Sequence, residues 1–161
     1  MDKENHFVKI IQENQGLIFK ISSIYTQCKS DQEDLYQDIV YQLWKSFGTF
    51  RKESKLSTWM YRVALNTALT KEKRRKRSGL KIPIEKVILK QSEAYNTEFE
   101  ERLKILYHHI HHLNSLDKGL ILLLLEGNKY DEIAEISGLT PSNVGTRISR
   151  IKNKLKSNIS K

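Results

Sequence analysis

Cysteine, proline and glycine are scarce in this chain, and each scarcity narrows the fold. A lone Cys28 among 161 residues cannot form an internal disulfide. Two prolines and seven glycines are too few for the many tight turns of an all-β design, and fit long helices joined by short turns. Long apolar runs are missing as well. The longest, "LILLLL" from Leu120 to Leu125, falls far short of the roughly 20 residues a membrane-spanning helix needs, so it reads as a buried helix. There is no charged-then-apolar signal pattern at the N-terminus. No direct membrane insertion is expected, and the chain reads as cytoplasmic. Nor is there a Ser-His-Asp, Cys-His or phosphate-loop constellation, so no catalysis is expected.

What the chain does have is positive charge, unevenly spread. The formal net charge is +9 with a pI near 9.6, which suits a polyanionic partner because clustered Lys and Arg release counterions from a phosphate backbone. From Lys71 to Arg77, "KEKRRKR" carries six cations and one acid, and Thr140 to Lys161 carries six cations and no acid. By contrast Asp31 to Leu43 has four acids and no cation, and Ile82 to Glu101 is acidic by three charges. Two basic blocks are thus separated by an acidic spacer.

Helical periodicity and punctuation predict an all-α chain in two halves. The first half holds helices over about His6 to Cys28, Asp31 to Phe47 and Ser57 to Arg77, with Ser30 or Asp31 and Ser57 as N-caps. Residues 78–98 contain Pro83 and little periodicity, and read as a flexible linker with at most one helical turn. The second half holds helices over about Phe99 to Leu113, Ser115 to Glu126, Tyr130 to Ser137 and Ser142 to Ser157, with Gly127 and Gly138 where C-terminal caps belong. The expected architecture is two small helical domains, residues 1–77 as a three- or four-helix bundle and residues 99–161 as a helix-turn-helix domain.

"YDEIAEISGLTPSNVGTRISRIKNKL" has the helix-turn-helix layout: a short helix with Ile133, Ala134 and Ile136, a turn through Gly138 plugged by Leu139, then a second helix. Ala134 is small where the helices approach. Val144, Ile148, Ile151 and Leu155 follow i, i+4, i+7, i+11 and form one apolar stripe. The opposite side carries Ser142, Thr146, Ser149, Arg150 and Asn153, flanked by Asn143, Arg147 and Lys154. Such a face can place Arg and Asn on base edges and Ser, Thr and Lys on phosphates. Gly145 costs about 1 kcal/mol of helix propensity against alanine, and beside that face it would let the helix lie close to a backbone.

The first half carries two further surfaces. In "DLYQDIVYQLWKSF", Leu35, Ile39 and Leu43 lead a broad apolar side, while Asp34, Gln37, Asp38, Tyr41 and Lys45 line a mostly acidic face suited to protein docking. In "STWMYRVALNTALTKEKRRKR", Arg62, Asn66, Thr70, Lys73 and Arg77 recur every three or four residues, a stripe suited to nucleic acid crossing the helix. Trp59, Met60, Val63 and Ala64 supply its packing side. Phe50, in the basic loop with Arg51, Lys52 and Lys55, is the better candidate for stacking on an unpaired base. "HHIHH", His108 to His112, holds an i, i+4 pair, but no Cys or carboxylate follows at firm ligand spacing, and neither metal nor cofactor is expected.

These segments closely resemble, in order and over about residues 6–77 and 99–158, the extracytoplasmic-function (ECF) group of bacterial RNA polymerase sigma factors. "EDLYQDIVYQLWKSF" resembles the part of region two that docks on the clamp helices of the polymerase β′ subunit. "STWMYRVALNTALTKEKRRKR" is similar to the helix that reads the downstream, minus-10 promoter element. "YDEIAEISGLTPSNVGTRISRIKNKL" is similar to the region-four helix-turn-helix that reads the upstream, minus-35 element. The resemblance implies Asp34, Gln37 and Asp38 as core-polymerase contacts, with Tyr41 on the same face. It implies Arg62 and Asn66 at the downstream element, with Lys73 and Arg77 continuing their stripe, and a Gly48 to Lys55 loop that captures a flipped base. At the upstream element it implies Asn143, Thr146, Arg147 and Arg150, flanked by Ser142 and Lys154. The Leu116 to Glu126 helix would lie near the flap of the β subunit, and the acidic linker in the channel where nascent RNA later passes. The implied activity is promoter recognition, DNA opening and transcription initiation with core polymerase, and the implied further partner is an anti-sigma protein, possibly membrane-bound. Many members carry a cation where Gly145 stands. The alternative is a helix-turn-helix regulator that binds duplex DNA without polymerase.

Overall fold

The computed structural model describes residues 2–77 and 97–160, and these residues form eight helices and no strand. They divide into two compact units of four helices each, residues 2–77 and residues 97–160.

In the first unit α1 spans Lys3–Glu13, α2 Gln15–Ile24, α3 Lys29–Phe47 and α4 Leu56–Arg77. The single helix expected from His6 to Cys28 is therefore two, broken at Asn14. That residue leaves helical geometry (φ −122°, ψ 21°), and its side-chain amide donates to the Ile10 carbonyl at 2.8 Å. Asparagine competes for backbone groups in this way, and Gly16 two residues on adds little helix propensity. The expected N-caps of the next two helices also shift. Cys28 is the N-cap of α3, extended (φ −136°, ψ 161°) and without a side-chain cap bond. Asp31 sits inside the first turn, where its charge favours the positive end of the helix dipole. Ser57 likewise lies inside α4, which begins at Leu56.

Packing follows the apolar stripes. Leu35, Ile39 and Leu43 of α3 are essentially inaccessible, as are Met60, Ala64 and Ala68 of α4, so these two helices share the core with Ile18, Ile21 and Ile24 of α2. α1 is tied on by aromatic edges: Phe7 meets Trp44 at 5.0 Å and Phe47 at 5.3 Å between ring centroids, both near 62°. Such pairs each add about 0.5–1.5 kcal/mol beyond area burial. Trp59 is buried, as its place on the packing side predicts.

In the second unit α5 spans Thr97–His111, α6 Ser115–Leu125, α7 Tyr130–Ser137 and α8 Pro141–Ile159. The expected linker lies outside the described residues except for Thr97 and Glu98, which belong to α5. Leu120 to Leu123 are buried, and Leu125 is about half exposed. Gly127 and Gly138 both adopt left-handed backbone, φ 89° and 81°, at the ends of α6 and α7. α6 opens on a reciprocal cap. The Asn114 side chain accepts from the Asp117 N–H at 2.9 Å and donates to the Asp117 carboxylate at 3.0 Å.

Candidate nucleic-acid and polymerase interface

The helix-turn-helix is built locally. α7 ends because Gly138 turns left-handed while its N–H still donates to the Ala134 carbonyl at 2.9 Å. Leu139 is half-buried in the turn. α8 then starts on Thr140, whose hydroxyl accepts from the Asn143 N–H at 3.1 Å, with Pro141 in the first turn where its missing donor costs nothing. The stripe of Val144, Ile148, Ile151 and Leu155 is buried throughout. Consequently Ser142, Asn143, Thr146, Arg150 and Lys154 all reach solvent from α8.

Two members of that face have local partners. The Thr146 hydroxyl donates back to the Ser142 carbonyl at 3.1 Å. Arg147 is half-buried and lies 3.4 Å from Asp117 of α6, so it shares that carboxylate with Asn114, the N-cap of the helix. Sequence spacing placed Arg147 on the flank of the reading face and gave no sign of this acid, which is thirty residues away.

Gly145 is explained by neither the turn nor a positive φ. A Cβ built there would stand 3.5 Å from the Tyr130 ring of α7, an ordinary contact. Gly145→Ala is therefore expected to stabilise the second unit by about 1 kcal/mol, the helix-propensity difference. The check is a urea midpoint followed by circular dichroism; a loss of stability would show that the Tyr130 side has no room.

In the first unit α3 turns Asp34, Gln37, Asp38 and Tyr41 outward, all exposed. Lys45 sits over the Tyr41 ring, 5.6 Å from its centroid. Asp38 is bound to Lys71 of α4 at 2.7 Å, with both side chains about half exposed. Beside this face lies a groove of about 700 Å³ lined by Phe7, Val8 and Ile11 of α1 and Tyr36, Val40 and Trp44 of α3, with Gln37 and Tyr41 at its edge. The groove exists because α1 is a separate helix laid against α3; the unbroken helix read from the sequence hid it. The Tyr36 phenol is pushed up from its ordinary pKa by burial.

On α4 the stripe emerges as spaced: Asn66, Thr70, Lys73 and Arg77 are exposed, while Arg62 is half-buried. The last turn gathers Arg74, Arg75, Lys76 and Arg77, where cations also suit the negative end of the helix dipole. Glu72, the one acid of this block, is 3.8 Å from Lys76. In the preceding loop Arg51, Lys52 and Lys55 are exposed, and Lys52 takes a left-handed φ of 59°, a conformation that costs a non-glycine residue of order 1 kcal/mol. Phe50 is half-buried, with its ring 4.9 Å from Trp59 and inclined by 31°.

Both halves match known families. Residues 10–78 match the family model for sigma-70 region 2, and residues 103–155 that for sigma-70 region 4. The chain belongs to the ECF group of the sigma-70 family. It is 30% identical to an ECF RNA polymerase sigma-E factor of Haemophilus influenzae, across 87% of this chain and 82% of that one. Two solved structures share the fold: the sigma factor RpoE from Bartonella quintana, in complex with the anti-sigma factor NepR (TM-score 0.79, 20% identity, 94% of this chain and 95% of that one), and CnrH in complex with the cytosolic domain of CnrY (TM-score 0.71, 16% identity, 98% and 90%). As a sigma factor, this chain acts in transcription initiation. Among its described residues no helix is long and apolar enough to cross a membrane.

Proposed function

We propose that this ECF sigma factor divides promoter recognition between its two units. Residues 1–77 dock on core polymerase and engage the minus-10 element; residues 99–161 read the minus-35 element. The observation that carries the reading is that both modules stand in order in one chain, each with an exposed polar helix face opposite a buried apolar stripe.

In this reading Asp34, Gln37, Asp38 and Tyr41 meet the β′ clamp helices, and the apolar groove beside Gln37 and Tyr41 extends that contact. α6 lies near the β flap. Arg62, Asn66, Lys73 and Arg77 follow the downstream element, and the loop of Phe50, Arg51, Lys52 and Lys55 receives a base released from the opening duplex. Ser142, Asn143, Thr146, Arg147, Arg150 and Lys154 meet the upstream element. Arg147 must exchange Asp117 for DNA, a modest penalty because a partly exposed ion pair is worth about 1 kcal/mol or less. The protein supplies binding and positioning, and the chemistry belongs to the polymerase. It works in the cytoplasm, and the anti-sigma partners of the two related structures support a similar inhibitor here, soluble or membrane-linked.

The test is transcription of genomic fragments by core polymerase with and without this protein, with start sites mapped. Specific starts that require the protein are expected; their complete absence would overturn the proposal.

A further inference from the structure

Four of the chain's five histidines lie between His108 and His112, at the C-terminal end of α5, and the sigma reading uses none of them. Spacing alone gave no third protein ligand, and none of the described residues completes a group of three. The geometry adds a different fact. The His108 and His112 rings lie side by side on one face, centroids 4.7 Å apart and planes at 48°, and both residues are exposed.

That separation fits a shared ion. With metal–nitrogen bonds of about 2.0–2.1 Å and about 1.1 Å from nitrogen to ring centre, two imidazoles on one ion have centroids about 4.5 Å apart at a right angle and about 5.2 Å apart at the tetrahedral angle. The observed 4.7 Å lies between the two. His109 stands edge-on to His108 at 5.4 Å, and His111 is half-buried, so neither belongs to the pair.

We propose that His108 and His112 form a two-imidazole chelate for a late first-row divalent ion of the Ni²⁺, Cu²⁺ and Zn²⁺ class, water completing the shell. Imidazole nitrogen suits these ions, and the last turn of α5 with the turn that follows it, where the His112 N–H donates to the His109 carbonyl at 3.2 Å, holds the two side chains together before the ion arrives. The negative end of the α5 dipole lies at the same turn. Partial burial, then His108, His109 and Lys118, lowers the His112 pKa and favours the neutral ring that ligation requires. The Lys118 ammonium repels cations, so affinity must come from the ligand bonds and not from local charge. Two protein ligands leave open positions, unlike a closed structural zinc site, and the ion remains exchangeable. It would staple the end of α5, which leads through Leu113 into the Asn114 cap of α6.

The experiment is calorimetric titration of the full chain, without a histidine tag, with NiCl₂. A saturable site of one ion per chain is expected. Partners outside the coordination shell alone are worth about 10- to 100-fold in affinity, so His108→Ala and His112→Ala should each weaken binding by about tenfold or more. His109→Ala should bind as the unaltered chain does. Both ligand positions are exposed; His108 lies in α5, where alanine favours the helix, and His112 follows its last residue, His111; circular dichroism verifies the fold of each variant. Absence of saturable binding, or binding that survives either ligand substitution, overturns the proposal.

Discussion

Changing Asp34 and Asp38 together to lysine weakens binding to core RNA polymerase by about 100-fold or more. Both carboxylates stand exposed on the outer face of α3. If they meet cationic groups of the polymerase, reversal turns two attractions into repulsions, and like charges facing each other across an interface cost several kcal/mol. About 2.7 kcal/mol already corresponds to 100-fold. Reversal at Asp38 also sets a new cation against Lys71, now 2.7 Å from the Asp38 carboxylate. Asp34→Asn with Asp38→Asn separates the effects, since it removes the contacts without creating repulsion and should retain an intermediate affinity. Loss of the exposed Lys71 pair costs about 1 kcal/mol or less, so the fold survives. A competition assay against a labelled sigma factor reads the affinities. Unchanged binding by the lysine variant would remove α3 from the docking surface.

Trp59→Ala destabilises the first unit by about 3–5 kcal/mol, the usual cost of emptying a buried aromatic site. The indole is buried beneath two rings, Phe50 at 4.9 Å and Phe47 at 6.4 Å. Its loss therefore opens a cavity and frees the loop whose Phe50 rests on it. Against a total stability of about 5–15 kcal/mol, that is a large share. Trp44 and Trp59 are the only tryptophans and both belong to the first unit. In the variant the remaining Trp44 fluorescence reports urea unfolding of that unit. Trp59→Phe keeps a ring under Phe50 and should recover most of the stability. A shift below about 1 kcal/mol for the alanine variant would show that the aromatic cluster does not hold the unit together.

Much of the fold was legible because helix stripes are repetitive signals. The Val144, Ile148, Ile151, Leu155 stripe and the Leu35, Ile39, Leu43 stripe are buried as their spacing demands, and α7 has the bounds its sequence suggests. What was hidden depended on single residues or distant partners. The break at Asn14 needed one side-chain bond to the Ile10 carbonyl; the "NQG" composition was its only local sign. The grooved surface of α1 and α3 follows from that break. The pairs Asp38–Lys71 and Asp117–Arg147 join residues 33 and 30 positions apart on different helices, where periodicity carries no information. The basic loop makes Phe50 a candidate for stacking on an unpaired base, and its ring is half-buried beside Trp59, a contact without any sign in the sequence. A base captured by this loop would meet a ring already held in place.

The division of labour between protein and polymerase separates this account from that of a self-sufficient helix-turn-helix regulator. The direct measurement is a titration of a mapped promoter fragment with the protein alone and with the protein bound to core polymerase, at one salt concentration. The account predicts specific binding and strand opening with core enzyme, and weak, poorly discriminating binding without it. Equal affinity and specificity for the protein alone would contradict it.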